Sequence, residues 1–415
     1  MINVSIITIG DELLIGQVVD TNSAWMAQEL NTAGIRVKRR VAVGDVWDEI
    51  WQALDEEAAQ ADVILITGGL GPTADDITKP LLCKYFNGTL IQNKEALQNV
   101  EYLFEKVFKR ALTPRNIKQA EVPDVCSVLQ NKRGTAPGML FNKNGKIVVS
   151  MPGVPHEMQG MMTDDVIPLL QKQFNPSVIT HRTLLTFGIG ESMLADMIIN
   201  FEEALPSNIK LAYLPNYGMV RLRLTATGNK KAETENLINE QFTQLQLLVK
   251  EFMVTNEDEP MEKVLCKLLM KKNKTMSSAE SCTGGYIAHL ITLQPGASAF
   301  YNGSVVCYSN EVKTTLLKVS EKTLQENGAV SEAVVVQMLK GILQTIKSDY
   351  AIAVSGIMGP DGGTEEKPVG TVWIAVGNAE KQTAQQFHFR FNRQRNIQLT
   401  AVNAFNLLRK FILKE

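Results

Sequence analysis

The sequence predicts an α/β chain in three parts: an α/β unit, a small α+β unit and a second α/β unit. Three observations carry this. Short apolar runs alternate with amphipathic segments over residues 1–174, the signature of βαβ units around a parallel sheet. Residues 175–254 change texture to alternating, antiparallel-type strands. The polar, acidic stretch Thr255-Asn256-Glu257-Asp258-Glu259-Pro260 then sets off residues 255–415 as a separate unit. The 415 residues agree with two to four domains at roughly 100–200 residues each.

The elements follow in order. Ile2–Thr8 is a β-rich run, and Ser23–Asn31 carries apolar residues at helical spacing before Gly34. Val37–Val43 is strand-like, Val46–Ala59 helical, and Val63–Thr67 an apolar run that stops at Gly68-Gly69. Helices are expected at Lys94–Lys109, Pro114–Ala120, Pro155–Met162 and Asp164–Phe174, with strands at Met139–Phe141 and Lys146–Ser150. In the middle part, Thr183–Phe187, Lys210–Tyr213 and Met219–Thr227 read as strands and Lys231–Lys250 as a helix, making a small domain or an elaborate linker. The last part reads as a helix at Met261–Lys271, a strand at Thr275–Ser278 and a helix at Gly284–Leu290. Strands at Ser304–Tyr308, Tyr350–Val354, Thr371–Val376 and Gln385–Phe391 follow, and Arg393–Leu413 closes the chain as a helix.

Composition narrows the function. Hydrophobic residues at 45% and charged residues at 21% describe a globular chain rather than a disordered one. A net charge of −2 gives no sequence-wide attraction to nucleic acid or anionic membrane. The one basic run, Arg36, Lys38, Arg39 and Arg40, would alternate across both faces of a strand. Cys83, Cys126, Cys266, Cys282 and Cys307 form no C-x-x-C pair, which argues for a reducing compartment. The four histidines are scattered, so a His/Cys zinc site is not expected. The N-terminus lacks a basic leader and no apolar run is long enough to span a bilayer, so a soluble, cytoplasmic protein is expected.

Three loops of the first part each follow an expected strand: Gly10-Asp11-Glu12-Leu13-Leu14, Val43-Gly44-Asp45, and Thr67-Gly68-Gly69-Leu70-Gly71-Pro72-Thr73-Ala74-Asp75-Asp76. Ligands of open parallel sheets bind beyond the carboxyl ends of the strands, so the loops could share one crevice. Glycines let N–H groups approach a phosphate, and clustered carboxylates suit a hard cation such as Mg²⁺. The alternative is a plain turn whose glycines are conformational, with Asp75 or Asp76 capping a helix. Neither a P-loop nor a G-x-G-x-x-G fingerprint is present.

In the last part, Ala279-Glu280-Ser281-Cys282-Thr283-Gly284-Gly285 joins a strand to a helix. Ser281 there could meet helix N-terminal N–H groups that stabilise an oxyanion. A serine needs a base, and His289 and His388 are poorly placed for a triad. Tyr308-Ser309-Asn310-Glu311-Val312-Lys313 offers Tyr308 and Lys313 instead, although by composition Lys313 also reads as a solvated helix residue. Cys282 is an alternative nucleophile without an identifiable cationic partner. The run from Ser355 through Gly356, Gly359, Asp361, Gly362, Gly363 and Thr364 is either a flexible turn or an anion-cradling nest.

These residues bear a resemblance. Thr8–Leu14, Asp20-Thr21-Asn22 and Thr67–Asp76, with Ala279–Gly285, Asn302–Val306, Tyr308–Lys313, Gly356–Thr364 and Lys367–Thr371, resemble the CinA family of competence/damage-inducible proteins over essentially the whole chain. The family usually reads Thr-Gly-Ile-Ala-Gly-Pro where this chain has Ser355-Gly356-Ile357-Met358-Gly359-Pro360, a change in which Met358 could narrow a pocket wall.

The resemblance implies a three-layer, molybdopterin-binding-like first domain and a CinA-type amidase domain at the end. It implies hydrolysis of nicotinamide mononucleotide to the nicotinic acid form plus ammonia, and a second, metal-dependent ADP-ribose pyrophosphatase activity in the first domain. By motif, Ser281 is the nucleophile, with Tyr308 and Lys313 activating it. Thr283, Gly284, Gly285, Asn310, Gly356, Gly359, Asp361, Gly362, Gly363 and Thr364 are implied to bind substrate. The first domain's nucleotide site would use Gly10, Gly68, Gly69, Gly71 and Thr73, and a divalent ion such as Mg²⁺ would use Asp11, Glu12, Asp45, Asp75 or Asp76. No cofactor is implied for the amidase, and the partners are small nucleotides and a second copy in a homodimer. Other readings are a pterin- or nucleotide-binding module, or a scaffold in DNA uptake or repair.

Overall fold

Six strands build the first domain's sheet, in the order Arg36–Val43, Asn3–Ile9, Val63–Thr67, Lys146–Met151, Gly138–Lys143, Ser127–Leu129. The first four run parallel and the remaining joins are antiparallel. The computed structural model describes residues 2–73, 75–143, 145–216 and 218–415. Alternation along the strands feeds two cores, one on each sheet face. Ile64 and Ile66 pack with Ile50 and Leu54, whereas Val63 and Leu65 pack with Met26 and Leu30. Val63–Thr67 is buried at every position because helices cover both sides. The result is a three-layer α/β domain. The basic run lies on the edge strand Arg36–Val43 and is mostly exposed.

One expected helix pair is a single helix, and the expected Lys94–Lys109 helix is continuous but widens midway. Pro155–Met161 and Ile167–Phe174 are one continuous helix, joined through a wider turn at Met162–Val166. Lys94–Tyr102 continues through a similar wide turn, Leu103–Phe108, and ends on a left-handed Lys109.

The middle segment is a domain, not a linker. Its sheet runs Ile209–Asn216, Met219–Gly228, Val178–Phe187, Met253–Thr255, with helices Glu191–Glu203 and Lys231–Leu248. The chain divides into two compact units: one runs to His181 and includes Thr225–Ile238, and the other holds Arg182–Leu224 and Asn239–Glu415. Within the second unit, Leu185 and Met219 of the middle domain join the core of Met261, Leu265 and Phe405.

The last domain's sheet runs Tyr301–Val306, Met276–Glu280, Tyr350–Gly356, Thr371–Gly377, Gln382–His388. Its first three strands are parallel and the last two pair antiparallel. Large residues Ile352, Val354 and Ile374 face helices Met261–Lys272 and Arg393–Leu413. Alanines 351, 353 and 375 face Glu332–Ile346, a helix the sequence reading missed although Ser331 caps it and Val334, Val335, Met338, Leu339 and Ile342 share one face. Gly341 lets this helix approach Asn310–Leu317, since a Cβ there would meet the Leu317 carbonyl oxygen at 2.0 Å. That contact seats the helix bearing Lys313. No helix among the described residues is long and apolar enough to cross a membrane.

Candidate active site

The strand Met276–Glu280 is central and ends two residues later than its sequence suggests, so Glu280 is buried. Ser281 extends the strand by one hydrogen bond, its N–H donating to Val354 O at 3.1 Å. The chain then turns through Gly284 and Gly285, at φ +60° and +97°, values that favour glycine. The following helix is Tyr286–Thr292. This corrects the expected oxyanion arrangement: the first N–H groups of that helix are taken by the Glu280 carboxylate.

Ser281, Tyr308, Asn310, Lys313 and Gly356 line one cavity of about 200 Å³, together with Cys282, Ala329, Val330, Ser355, Met358 and Arg393. Met358, where the sequence departs from the family pattern, thus lines this cavity. Lys313 is only 1% exposed, so the solvated-helix alternative does not describe it. Its Nζ donates to the carbonyl oxygens of Cys307 at 2.9 Å and Tyr308 at 3.3 Å, and it forms no ion pair with any described carboxylate. Burial lowers its pKa from the ordinary lysine value. No hydrogen bond joins Ser281 Oγ to Lys313 or Tyr308 among the described residues. Tyr308 is 63% exposed, and its phenol oxygen accepts from Arg393 Nη2 at 3.0 Å. Cys282 is 5% exposed, and burial pushes its thiol well above the ordinary cysteine value.

Several expected binding residues lie elsewhere. Thr283, Gly284 and Gly285 line a neighbouring depression with Tyr286 and His289, and Thr283 Oγ1 is bonded to Glu280 at 2.7 Å. Asp361, Gly362, Gly363 and Thr364 are exposed outside the cavity, where Thr364 is tied to Lys367 in a tight turn. Gly359 touches the site only through its carbonyl oxygen, which accepts from Arg393 Nη1 at 2.8 Å. Sequence reasoning missed Arg393. It stands in the first turn of Arg393–Leu413, where a cation opposes the helix dipole, and that mismatch is the signal in the sequence.

In the first domain the parallel order does bring the three loops to one end of the sheet. Asp11 N–H donates to Asp45 Oδ2 at 3.2 Å, and Asp45 N–H returns a bond to Asp11 Oδ1 at 3.1 Å. The Asp45 carboxyl is raised by burial, which outweighs the Asp11 N–H bond that lowers it, and by the nearby charges of Asp11, Glu12 and Asp75. Asp76 is occupied by the turn, accepting Gly71 N and Thr73 N at 2.8 Å each and the Thr73 hydroxyl. Gly68 and Gly69 are required by contact: a Cβ would meet Ile9 O at 2.2 Å and Thr78 Oγ1 at 2.1 Å. Ala74 of this motif lies outside the described residues.

A cavity of about 150 Å³ opens instead beside Asp20-Thr21-Asn22, with Thr8, Glu12, Thr67 and Gly153 in its wall. Asn22 Nδ2 donates to Gly153 O at 2.7 Å. Gly10, Gly71, Thr73 and the carboxylates other than Glu12 and Asp20 do not line it. Oxygen donors are the right chemistry for Mg²⁺, but among the described residues no three His, Cys, Asp or Glu groups converge to hold an ion. Among the described residues the first domain thus has no preassembled cation site.

Against known families, residues 258–412 match the CinA C-terminal domain and residues 5–172 a probable molybdopterin binding domain. Residues 181–253 match the damage-inducible protein CinA KH domain, a kinship that the α+β texture did not disclose. A CinA-like protein of Cytophaga hutchinsonii is 44% identical over 405 residues, covering 98% of this chain and 97% of its own. A putative competence-damage inducible protein of Acetivibrio thermocellus is 37% identical over 412 residues, covering 99% of each. Among solved structures, a CinA superfamily protein from Klebsiella pneumoniae is 32% identical, with a TM-score of 0.37, and covers 38% of this chain and 100% of its own. Identity of this extent over nearly the full length means that the chain belongs to the CinA family.

Proposed function

We propose that the last domain hydrolyses the carboxamide of nicotinamide mononucleotide to nicotinic acid mononucleotide and ammonia. The observation that carries the reading is Lys313: a buried amine in one cavity with Ser281, held by main-chain carbonyls and by no carboxylate. Desolvation favours its neutral form, which is the form that can take a proton.

Ser281 Oγ attacks the amide carbon as Lys313 Nζ takes the hydroxyl proton. Collapse of the tetrahedral adduct breaks the C–N bond, and Lys313 returns the proton to the departing nitrogen, so ammonia leaves. Water, deprotonated by the same amine, then attacks the Ser281 ester and releases the acid. The Tyr308 phenol oxygen accepts from Arg393, so its hydroxyl is left to orient the amide by a hydrogen bond while Lys313 carries the proton. Arg393 also supplies the cation at the cavity that suits the substrate's phosphate. Incubating the protein with nicotinamide mononucleotide and measuring ammonia and the acid product tests the reading. Absence of both refutes it.

A second reading, ADP-ribose pyrophosphate hydrolysis in the first domain, is favoured by the charge crowded around Asp45. A divalent cation arriving with the pyrophosphate would relieve that crowding. Unchanged ADP-ribose after incubation with Mg²⁺ refutes it.

A further inference from the structure

We propose that Glu280 is the positioning residue of the Ser281 nucleophile: its sealed carboxylate closes the turn that carries the serine. The inference rests on the serine reading of the cavity.

Glu280 has no exposed surface and no ion-pair partner among the described residues. A buried carboxylate without a cation is sustainable only when its lone pairs are filled by donors. Here five donors do so. Oε2 accepts from Thr283 Oγ1 at 2.7 Å, Gly285 N at 3.1 Å and Ile287 N at 3.0 Å. Oε1 accepts from Ala288 N at 2.8 Å and Ser278 Oγ at 3.2 Å. The donors lie on both sides of Ser281 in the chain, so the bonds cinch the loop that contains it.

The main chain of the same residue is fixed as well. Glu280 pairs with Val306 and Val354 in the two flanking strands, and its carbonyl accepts from Cys307 N at 2.8 Å. Ser281 therefore sits one residue beyond a rigid strand and at the start of a turn closed onto the preceding side chain. Cys307, on the other side of that bond, is also the residue whose carbonyl holds the Lys313 amine. Glu280 thus ties nucleophile and base to one frame without touching substrate.

The test uses the full chain. Glu280→Gln keeps the shape but offers one acceptor oxygen, and its NH₂ opposes N–H donors. Thr283→Val removes a single donor at nearly constant volume. The readouts are the rate at which a fluorophosphonate probe labels Ser281, kcat and KM for nicotinamide mononucleotide, and the Kd of that nucleotide in a Ser281→Ala background. Misplacement of a reacting group by about 1 Å costs on the order of 10²-fold. Labelling and kcat should fall by about that factor in Glu280→Gln, with KM and Kd unchanged, and by about tenfold in Thr283→Val. Labelling of Glu280→Gln at the unmodified rate overturns the inference, as does a loss of KM and Kd in step with kcat. If Glu280→Gln does not fold, Thr283→Val decides, and an unmodified rate there overturns it. An unmodified protein that neither takes the probe at Ser281 nor hydrolyses the nucleotide removes both the reading and the inference. Normal labelling of that protein beside an undisturbed Glu280→Gln removes the inference alone.

Discussion

Lys313 Nζ donates to the carbonyl oxygen of Cys307 at 2.9 Å, so the buried amine is tied to the residue that follows the strand Tyr301–Val306. No described carboxylate pairs with it, and burial lowers its pKa, outweighing the upward pull of Cys307 and Cys282. Amide hydrolysis should therefore rise with pH through a midpoint below the ordinary lysine value. Lys313→Met, which keeps the length and removes the amine, should lose about 10²–10⁴-fold in kcat.

The same shift has a stability consequence. The folded chain releases the Lys313 proton at lower pH than the unfolded chain. Between the depressed value and the ordinary lysine range the unfolded state binds more protons, so stability rises with pH across that window. Below it, the burial penalty acts in full. Lys313→Met should then be the more stable protein at neutral pH, by roughly 0.5–2 kcal/mol, with the gap narrowing in alkaline solution. Chemical denaturation at a series of pH values measures this. A variant less stable at neutral pH contradicts it.

Arg393 connects two parts of the site, through Tyr308 Oη at 3.0 Å and Gly359 O at 2.8 Å. Arg393→Met should raise KM for nicotinamide mononucleotide and lower kcat/KM by about 10–100-fold, the loss of a charge-assisted contact or two at about 1.5–3 kcal/mol each in full burial, less in this exposed position. Activity on nicotinamide riboside, which lacks the phosphate, should change less. An equal loss on both substrates assigns Arg393 to Tyr308 alone.

How much of this was legible in the sequence depended on the range of the interaction. The strand–loop–helix alternation is local, and it placed the three first-domain loops and the Ser281 turn. The lysine was not local: whether Lys313 is solvated depends on Gly341 admitting the neighbouring helix to the Leu317 carbonyl, a contact no short motif encodes. Glu280 is assigned no role from sequence, because its five donors become visible only once the turn closes. The Asp361–Thr364 run reads as either a flexible turn or an anion nest, and its turn is satisfied by its own Thr364–Lys367 bonds.

Asp76 offers a sharp contrast with its neighbour. Its carboxylate holds Gly71 and Thr73, so Asp76→Asn should cost about 0.5–2 kcal/mol, as loss of a cap does, and disturb the loop. Asp75 is exposed, and Asp75→Asn should leave thermal stability unchanged while reducing any Mg²⁺-dependent ADP-ribose cleavage. Thermal melts paired with product assays separate the two. Chelation by EDTA should leave amide hydrolysis untouched in either variant.

Cutting the chain at residue 256 should weaken the last domain. Leu185 and Met219 complete the core around Met261 and Leu265, and each buried side chain is worth roughly 1.5–3 kcal/mol. A fragment of residues 256–415 should melt earlier than one of residues 182–415, and both should retain the Ser281–Lys313 cavity, whose wall lies beyond residue 280. Equal melting temperatures would show that the middle domain lends the core nothing.

The nucleophile separates two adjacent residues. Cys282 lines the same cavity as Ser281, and a thiol is ordinarily the better nucleophile, but only as the thiolate. Burial raises the Cys282 thiol, outweighing a main-chain hydrogen bond and the Lys313 charge that lower it. Its thiolate is therefore scarce at neutral pH. Ser281 needs no prior ionisation, because neutral Lys313 can accept its proton as the bond forms. Cys282→Ala should retain activity within about tenfold and lose about 1 kcal/mol or more of stability, from the small cavity left behind. Ser281→Ala should lose about 10³-fold or more in kcat while its Kd for nicotinamide mononucleotide stays near that of the unmodified protein. Iodoacetamide at pH 7 should leave activity intact over the time in which a fluorophosphonate abolishes it. A dead Cys282→Ala beside an active Ser281→Ala would move the chemistry to the thiol and leave Lys313 to act on sulfur instead of oxygen.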